Sequence, residues 1–430
     1  MTASTLRRTT APWVGADPGA APVRVSAVWS AGPDGALLVW AGLAERVPQE
    51  LWETAVDAPA LRLSPALTSH HVHGGAGVDL ATSPAADVRS WLAAQRQAGV
   101  GAVVGSLPTL TEDALAAALD RLRPLWAEGL LAGVHLEGPF LSPARAGAHD
   151  PALLLTPLSP AGRRVRALIA AQPEGFVRTL TLAPELPGTD ALTRELTGAG
   201  VVVCPGHTDA DAATTRAWLQ TADDARAAAT AAGFPAPTPV ATHLFNAMRG
   251  FHHRAPGPLP ALLGAARAGR ARLELIGDGV HVDDEVLTAI LGDPGLAPAA
   301  CLVSDAVAAT GATRGTPHRL GSLPIHAAQD GPRVGADEPT SPAEATLAGG
   351  AADLPAIVGR LLHSGLDPDA VLRAATHVPA RTLGRRHAVP AGAPETTAHA
   401  VPGGDVLMWA PDGAVTVLRS QAAPGGRHHD

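Results

Sequence analysis

Eight short apolar runs in this chain each give way to Gly, Pro or small polar residues, and most end on His, Glu or Asp. The fullest example is Gly133-Val134-His135-Leu136-Glu137-Gly138-Pro139-Phe140. Val201-Val202-Val203-Cys204-Pro205-Gly206-His207, Ala241-Thr242-His243-Leu244-Phe245-Asn246-Ala247-Met248 and Leu302-Val303-Ser304-Asp305 repeat the pattern. A strand buried on both faces reads as a continuous Val/Leu/Ala run, and in a (β/α)8 barrel the working groups sit at the C-terminal ends of such strands. Ligand-type residues recurring at run ends from His71 to Asp305 therefore point to one composite site on a parallel sheet.

The eight strand candidates are Leu67 to His73, Gly101 to Leu107, Gly133 to Glu137, Val177 to Ala183, Val201 to Gly206, Val240 to Phe245, Leu273 to Gly279 and Ala300 to Asp305. Helical signals fall between them at Ala86 to Ala98, Glu112 to Trp126, Asp190 to Ala199, Ala212 to Ala232 and Asp283 to Leu291. Two more follow at Ala351 to His363 and Asp367 to Thr376. This alternation predicts an α/β fold, a (β/α)8 barrel, with a doubly wound open sheet as the competing topology.

Both ends of the chain read differently. Strand-like runs at Val23 to Trp29, Ala36 to Trp40, Arg46 to Leu51 and Leu61 to Leu63 precede the barrel, and Asp405 to Leu418 reads as two strands around the turn Pro411-Asp412-Gly413. The expected organisation is a small β-sandwich built from both termini, residues 1–66 and 381–430, flanking a catalytic barrel at 67–380. The tail after Ser420 reads as disordered.

Composition narrows the chemistry. There is no lysine, so all 32 basic residues are Arg. That excludes a Schiff base, a phosphate-loop Lys and a carbamylated Lys bridging two metals. A net charge of −8 without a basic run argues against nucleic acid as a partner. No apolar run approaches the ~20 residues needed to span a bilayer, and Met1 to Trp13 lacks the apolar stretch of a secretory signal. Cys204 and Cys301 lie inside apolar runs and read as buried, reduced residues of a cytoplasmic protein.

Glu137, His207 and His243 each follow an apolar run, and two imidazoles with one carboxylate are a typical catalytic-zinc set that leaves a position for water. A divalent metal there, zinc first and iron or another ion next, brings bound water toward a pKa of about 7. His71-Val72-His73 places two imidazoles on one strand face. Two readings stand for this pair, a second metal position or a pair hydrogen-bonding beside the site, so one or two ions per subunit are expected. Asp305 reads as a proton acceptor beside metal-bound water or as the N-cap of a following helix. His135 is expected to pack beneath the site, and Trp126 and Trp218 to lie in the core.

His135-Leu136-Glu137-Gly138-Pro139-Phe140-Leu141 running to Gly147-Ala148-His149, then Gly206-His207-Thr208, Thr242-His243-Leu244-Phe245-Asn246-Ala247-Met248, His252-His253-Arg254-Ala255-Pro256-Gly257, Asp278-Gly279-Val280-His281 and Ser304-Asp305-Ala306 together resemble the N-acetylglucosamine-6-phosphate deacetylase family of the amidohydrolase superfamily. The resemblance runs in order from His71 to Gly349. It implies that Glu137, His207 and His243 hold the metal, that Asp305 is the catalytic base and acid, and that His149 polarises the acetamide carbonyl or holds the sugar near it. It implies further that Asn246, Ala247 and His281 contact the phosphate of an amino-sugar phosphate, and that Arg254 grips the same phosphate from the neighbouring subunit of a homodimer. Ala148, Leu347, Ala348 and Gly349 would line the sugar pocket. His252 and His253 either order their loop or touch substrate.

Three departures from the family pattern stand out. Ser64-Pro65-Ala66-Leu67-Thr68-Ser69-His70 replaces the usual Pro-Gly and Asp before the His pair, and Gly350 stands where a Ser is common. The interval from His207 to His243, 36 residues, is long, with the excess in Asp223 to Thr238. That segment is either an inert surface insertion or a cover over the site mouth.

Overall fold

The protein was analysed as a computed structural model that describes residues 5–15, 23–32, 35–234, 236, 238–335, 346–384 and 405–419. The tail expected to be disordered, 421–430, lies outside them, as does Ser420.

All eight apolar runs form strands: β1 (Leu67–Val72), β2 (Val100–Leu107), β3 (Gly133–Glu137), β4 (Val177–Leu182), β5 (Val202–Pro205), β6 (Val240–Ala241), β7 (Arg272–Ile276) and β8 (Ala300–Val303). They pair in parallel as a five-stranded sheet, ordered β5-β4-β3-β2-β1, and a three-stranded sheet, β6-β7-β8. At one seam the Thr242 N–H donates to Pro205 O at 3.1 Å. At the other, the Asp305 N–H donates to His71 O at 3.1 Å and the His73 N–H to Ala306 O at 2.8 Å. Sequential order with parallel pairing excludes the doubly wound alternative, in which the strand order would reverse.

Side-chain caps set the helix starts. Thr111, Asp211 and Asp353 accept from the backbone N–H groups of Ala114, Thr214 and Ala356, fixing helices Glu112–Ala127, Ala212–Ala231 and Leu354–His363. The helices at Ala85–Gln97, Thr189–Gly198, Asp284–Leu291 and Pro368–Ala375 also fall where the sequence placed them. Trp218 is buried and its indole N–H donates to Thr193 Oγ1 at 3.0 Å, while Trp126 is partly buried and packs on Phe176. Cys204 and Cys301 are buried thiols without a disulfide.

Three expectations are corrected. Arg46 to Leu51 is not a strand: a 3₁₀ turn, Ala44–Arg46, and a helix, Gln49–Glu53, flank Pro48, whose missing N–H and fixed φ suit a helix start. The β-sandwich is instead one seven-stranded sheet. In it Leu6–Trp13 pairs along one edge with Val23–Gly32 and along the other with Val56–Asp57 and Leu63, so the sheet curls back on itself around Trp13, Val25, Trp29 and Met408. Both chain ends do contribute, since Val406–Trp409 pairs with Arg62–Pro65 and Val415–Arg419 with Gly35–Leu43. The third correction concerns Asp305: no helix begins there among the described residues, so it is not an N-cap.

Elements without a clear sequence signal also appear. They include the strand Leu6–Trp13, the helices Pro160–Ala170, Leu259–Arg267 and His377–Thr382, and an antiparallel sheet of Pro317–Leu320, Leu323–His326 and Arg333–Val334 inserted after β8. No helix among the described residues is long and apolar enough to cross a membrane.

Candidate active site

The C-terminal ends of the strands do not simply run out; they turn. His207, His243, Ala247 and Asp305 all have positive φ, between 26° and 49°. Non-glycine residues held in that region cost free energy, and such strain concentrates where side chains must be aimed. This is also why β6 stops at Ala241 rather than at Phe245.

The turns converge six side chains. Glu137 Oε1 lies 2.9 Å from His243 Nε2 and 3.1 Å from His207 Nε2, and the two imidazole nitrogens are 3.1 Å apart. A second triangle joins His71 Nε2, His73 Nε2 and Asp305 Oδ1 with edges of 3.2, 3.3 and 3.4 Å. Four ligands at about 2.0–2.1 Å around a tetrahedral ion stand about 3.3 Å apart, so both triangles have the spacing of a metal-ligand face. Glu137 stands between them, its Oε2 3.0 Å from His73 Nε2.

The electrostatics suit a cation. Burial works against charge at every one of these groups, yet Asp305, Glu274 and Glu137 together raise His71 well above the ordinary histidine range, and His73 is pushed up to about 9 against its own burial by Asp305 and Glu137. Glu137 is held well below the ordinary carboxylate range by His149 and His71 despite its burial. Burial pulls His207 down to about 4. The cluster thus offers ionised carboxylates that retain protons on neighbouring imidazoles, and a divalent ion satisfies the same carboxylates once those protons leave.

Behind the ligands sits a shell of partners. The His207 Nδ1–H donates to Arg145 O at 2.9 Å. Glu274 on β7 meets His70 and His71, and His135 bonds Ser106 through Nδ1 and Thr181 through Nε2. With both ring nitrogens engaged, His135 packs beneath the site, edge-on to His71. The Thr109 N–H donates to His149 Nδ1 at 3.1 Å, which leaves the hydrogen of that ring on Nε2, 3.3 Å from Glu137 Oε2.

A cavity of about 300 Å³ opens over this floor, the lower end of the range for small-molecule sites. It is lined by Glu137, His73, His207, His243, Asp305, Ala148, His149, Asn246, Ala247, His281, Leu347, Ala348 and Gly349, all singled out in the sequence. His71 is fully buried beneath. Arg254 is not part of the lining; it is exposed, and its backbone N–H donates to His252 Nδ1 at 3.3 Å. The His252 and His253 rings lie 4.3 Å apart, tilted by 40°, and neither lines the cavity. None of the described residues of the 223–238 segment lines the cavity.

Sequence reasoning missed Glu274 and Thr109, gave Asp278 no role beyond its motif, and missed Ile276, Leu320 and Thr346 in the lining. Asp278 accepts from Val280, His281 and Ala351 backbone N–H groups and from His281 Nδ1, and these bonds draw it down to about 2 against its burial. The ionised form therefore contributes stability above the ordinary Asp pKa, and this is lost as pH falls through about 2. Asp278→Asn is expected to cost about 2 kcal/mol at neutral pH, with the gap from wild type narrowing below pH 4 in acid-denaturation curves.

The Gly350 departure has a steric reason. A Cβ there would stand 1.8 Å from Ser304 O, while the Gly350 N–H donates to Asp305 O at 2.8 Å. Gly350→Ala is expected to lower thermal stability by about 1–3 kcal/mol, the range for forced overpacking, and to displace Asp305. Calorimetry that finds wild-type stability contradicts the close approach.

Parallel strands whose turned ends gather two His–carboxylate sets under one cavity are the layout of the amidohydrolase fold. No protein-family profile matches the chain. It is 30% identical over 346 residues to N-acetylglucosamine-6-phosphate deacetylase of Caenorhabditis elegans, covering 77% of this chain and 76% of the relative. A solved structure of N-acetyl-D-glucosamine-6-phosphate deacetylase from Mycobacterium smegmatis, a point mutant in complex with N-acetyl-D-glucosamine-6-phosphate, superposes with a TM-score of 0.72. That protein is 30% identical, and the match covers 96% of this chain and 98% of its own. N-acetylgalactosamine-6-phosphate deacetylase of Escherichia coli O157:H7 is 36% identical over 53% of this chain and 56% of its own length. The chain belongs to the N-acetylglucosamine-6-phosphate deacetylase family.

Proposed function

We propose that this protein hydrolyses the N-acetyl group of N-acetylglucosamine 6-phosphate, giving glucosamine 6-phosphate and acetate, with Glu137, His207 and His243 holding one divalent ion. His71, His73 and Asp305 would hold a second, with Glu137 between the two. The observation that carries the reading is the pair of ligand triangles sharing Glu137 at the floor of a cavity, in a chain of this family. Zinc is the ion proposed, because two imidazoles and a carboxylate are its common catalytic set.

A divalent ion bound there supplies a water that ionises near neutral pH and a positive charge for the carbonyl oxygen. The side chains do the rest. Asp305 takes the proton of the attacking water, and the His149 Nε2–H donates to the acetamide oxygen as negative charge develops on it. The C–N bond then breaks, and Asp305 returns its proton to the amine nitrogen. Its Oδ1 is the atom facing His71 and His73, which leaves the other oxygen to carry the proton. Asn246, Ala247 and His281 hold the phosphate, and Ala148, Leu347, Ala348 and Gly349 enclose the sugar.

The eight strands act as a closed (β/α)8 barrel over 67–380, with 1–66 and 381–430 forming the smaller unit; the seam hydrogen bonds support closure. Buried reduced thiols support a cytoplasmic enzyme. The exposure of Arg254 fits a homodimer in which it reaches the partner subunit's phosphate site. Arg254→Ala is then expected to raise KM for phosphorylated substrate with little change in turnover of unphosphorylated sugar; equal loss on both contradicts a phosphate contact.

The test is acetate release from N-acetylglucosamine 6-phosphate, N-acetylgalactosamine 6-phosphate and unphosphorylated N-acetylglucosamine, with metal content assayed in the same preparation. Release from the glucosamine ester, abolished by chelation and restored by zinc, supports the proposal. Preference for the galacto ester would move the substrate, and release from none of them by metal-replete protein would overturn it.

A further inference from the structure

Glu274 is a carboxylate in the middle of the apolar strand β7, and both it and the two histidines it meets are almost fully buried. Burying a carboxylate is costly unless donors surround it. Here they do. Oε1 lies 2.6 Å from His70 Nδ1, and Oε2 lies 3.0 Å from His71 Nδ1 and 3.2 Å from the backbone N of His243. The mechanism proposed above uses neither Glu274 nor His70.

An ionised carboxylate only accepts hydrogen bonds. A hydrogen of His71 must therefore sit on Nδ1, so the proton that gives way to a bound ion is the one on Nε2, and it is the Nε2 lone pair that would face the ion. Nε2 is the atom that meets His73 Nε2 and Asp305 Oδ1. Other ligands lack such a hold: Nδ1 of His73 and Nδ1 of His243 are buried with no hydrogen-bond partner among the described residues. Each triangle thus contains one imidazole whose tautomer is fixed from behind, His207 by the Arg145 carbonyl and His71 by Glu274.

We propose that Glu274, held in place by His70, is the positioning residue that fixes the ring and proton of His71 and so sets metal affinity at the His71–His73–Asp305 triangle. This rests on the reading of that triangle as a metal site. The same Oε2 accepts the His243 N–H and so ties the backbone of one triangle to a side chain of the other. A carboxylate behind a ligating imidazole also raises its basicity, and loss of such a partner typically weakens metal binding 10–100-fold.

The experiment is metal release from the zinc-loaded, full-length protein across a series of chelator concentrations. Wild type, Glu274→Gln, His71→Asn and the double variant are compared, with circular dichroism as the check of fold. The expected result is that Glu274→Gln releases zinc at about 10–100-fold lower chelator concentration. In the His71→Asn background, adding Glu274→Gln should change the release curve no further. Unchanged release in the folded single variant overturns the proposal, as does an equal shift in the His71→Asn background. Should Glu274→Gln fail to fold, Glu274→Asp keeps the charge but withdraws it from His71, and the same shift is expected; wild-type release by that variant overturns the proposal. Acetate release tests the deacetylase reading separately, because the chelator curve reads affinity and not turnover.

Discussion

Asp305→Asn is expected to fold, to keep the ion at Glu137, His207 and His243 and to lose about 10²–10⁴ in kcat, the usual contribution of a positioned general base. The substitution is chosen for its backbone. Asp305 has φ of 49°, and Asn is among the few residues that adopt this region readily. Its main-chain bonds, N–H to His71 O and C=O from the Gly350 N–H, do not involve the side chain. The amide oxygen can still face His71 and His73 as Oδ1 does now. What an amide cannot do is take a proton from water and return it to an amine. Steady-state kinetics beside metal content and circular dichroism separate these possibilities. Near-wild-type kcat in a folded, metal-replete variant would remove Asp305 from the proton path.

Glu137→Gln is expected to lose metal from both triangles together. One oxygen of Glu137 meets His207 and His243, and the other meets His73 and His149. An amide removes the charge that all four imidazoles share and turns an N–H₂ group toward nitrogens that must present lone pairs. Removing one partner of a buried ionic cluster costs about 3–5 kcal/mol, equivalent to roughly 10²–10⁴ in metal affinity. Chelator competition followed by metal analysis reads this directly. Loss confined to the His207–His243 set would contradict the bridging position, and retention of both ions would contradict ligation by Glu137.

The two predictions concern residues that were readable in the chain, and the reason is local. Glu137 and Asp305 each follow an apolar run that forms a buried strand, and in a parallel sheet that places them at one edge. Helix starts were readable for the same reason, because a cap is satisfied within three residues. The HxH pair was ambiguous until the fold closed, since two histidines on one strand face become a ligand set only when Asp305 arrives from β8. Glu274 was overlooked because its partners lie about 200 positions earlier in the chain, on β1. Its one local signal is a carboxylate inside an apolar run.

The amino-acid sequence by itself determined the strand runs, their alternation with helices, the absence of lysine chemistry and the identity of the metal-type side chains at the strand ends. Each of these rests on period, composition or contacts between near neighbours. Tertiary structure alone decided the left-handed turns that aim His207, His243 and Asp305, the place of Glu137 between two triangles, and the carboxylate behind His71. It also decided that the terminal strands make one curled sheet and that Arg254 stands outside its own cavity. These depend on which strands become neighbours, and strained backbone and buried charge persist only where the packing of distant segments over-determines them.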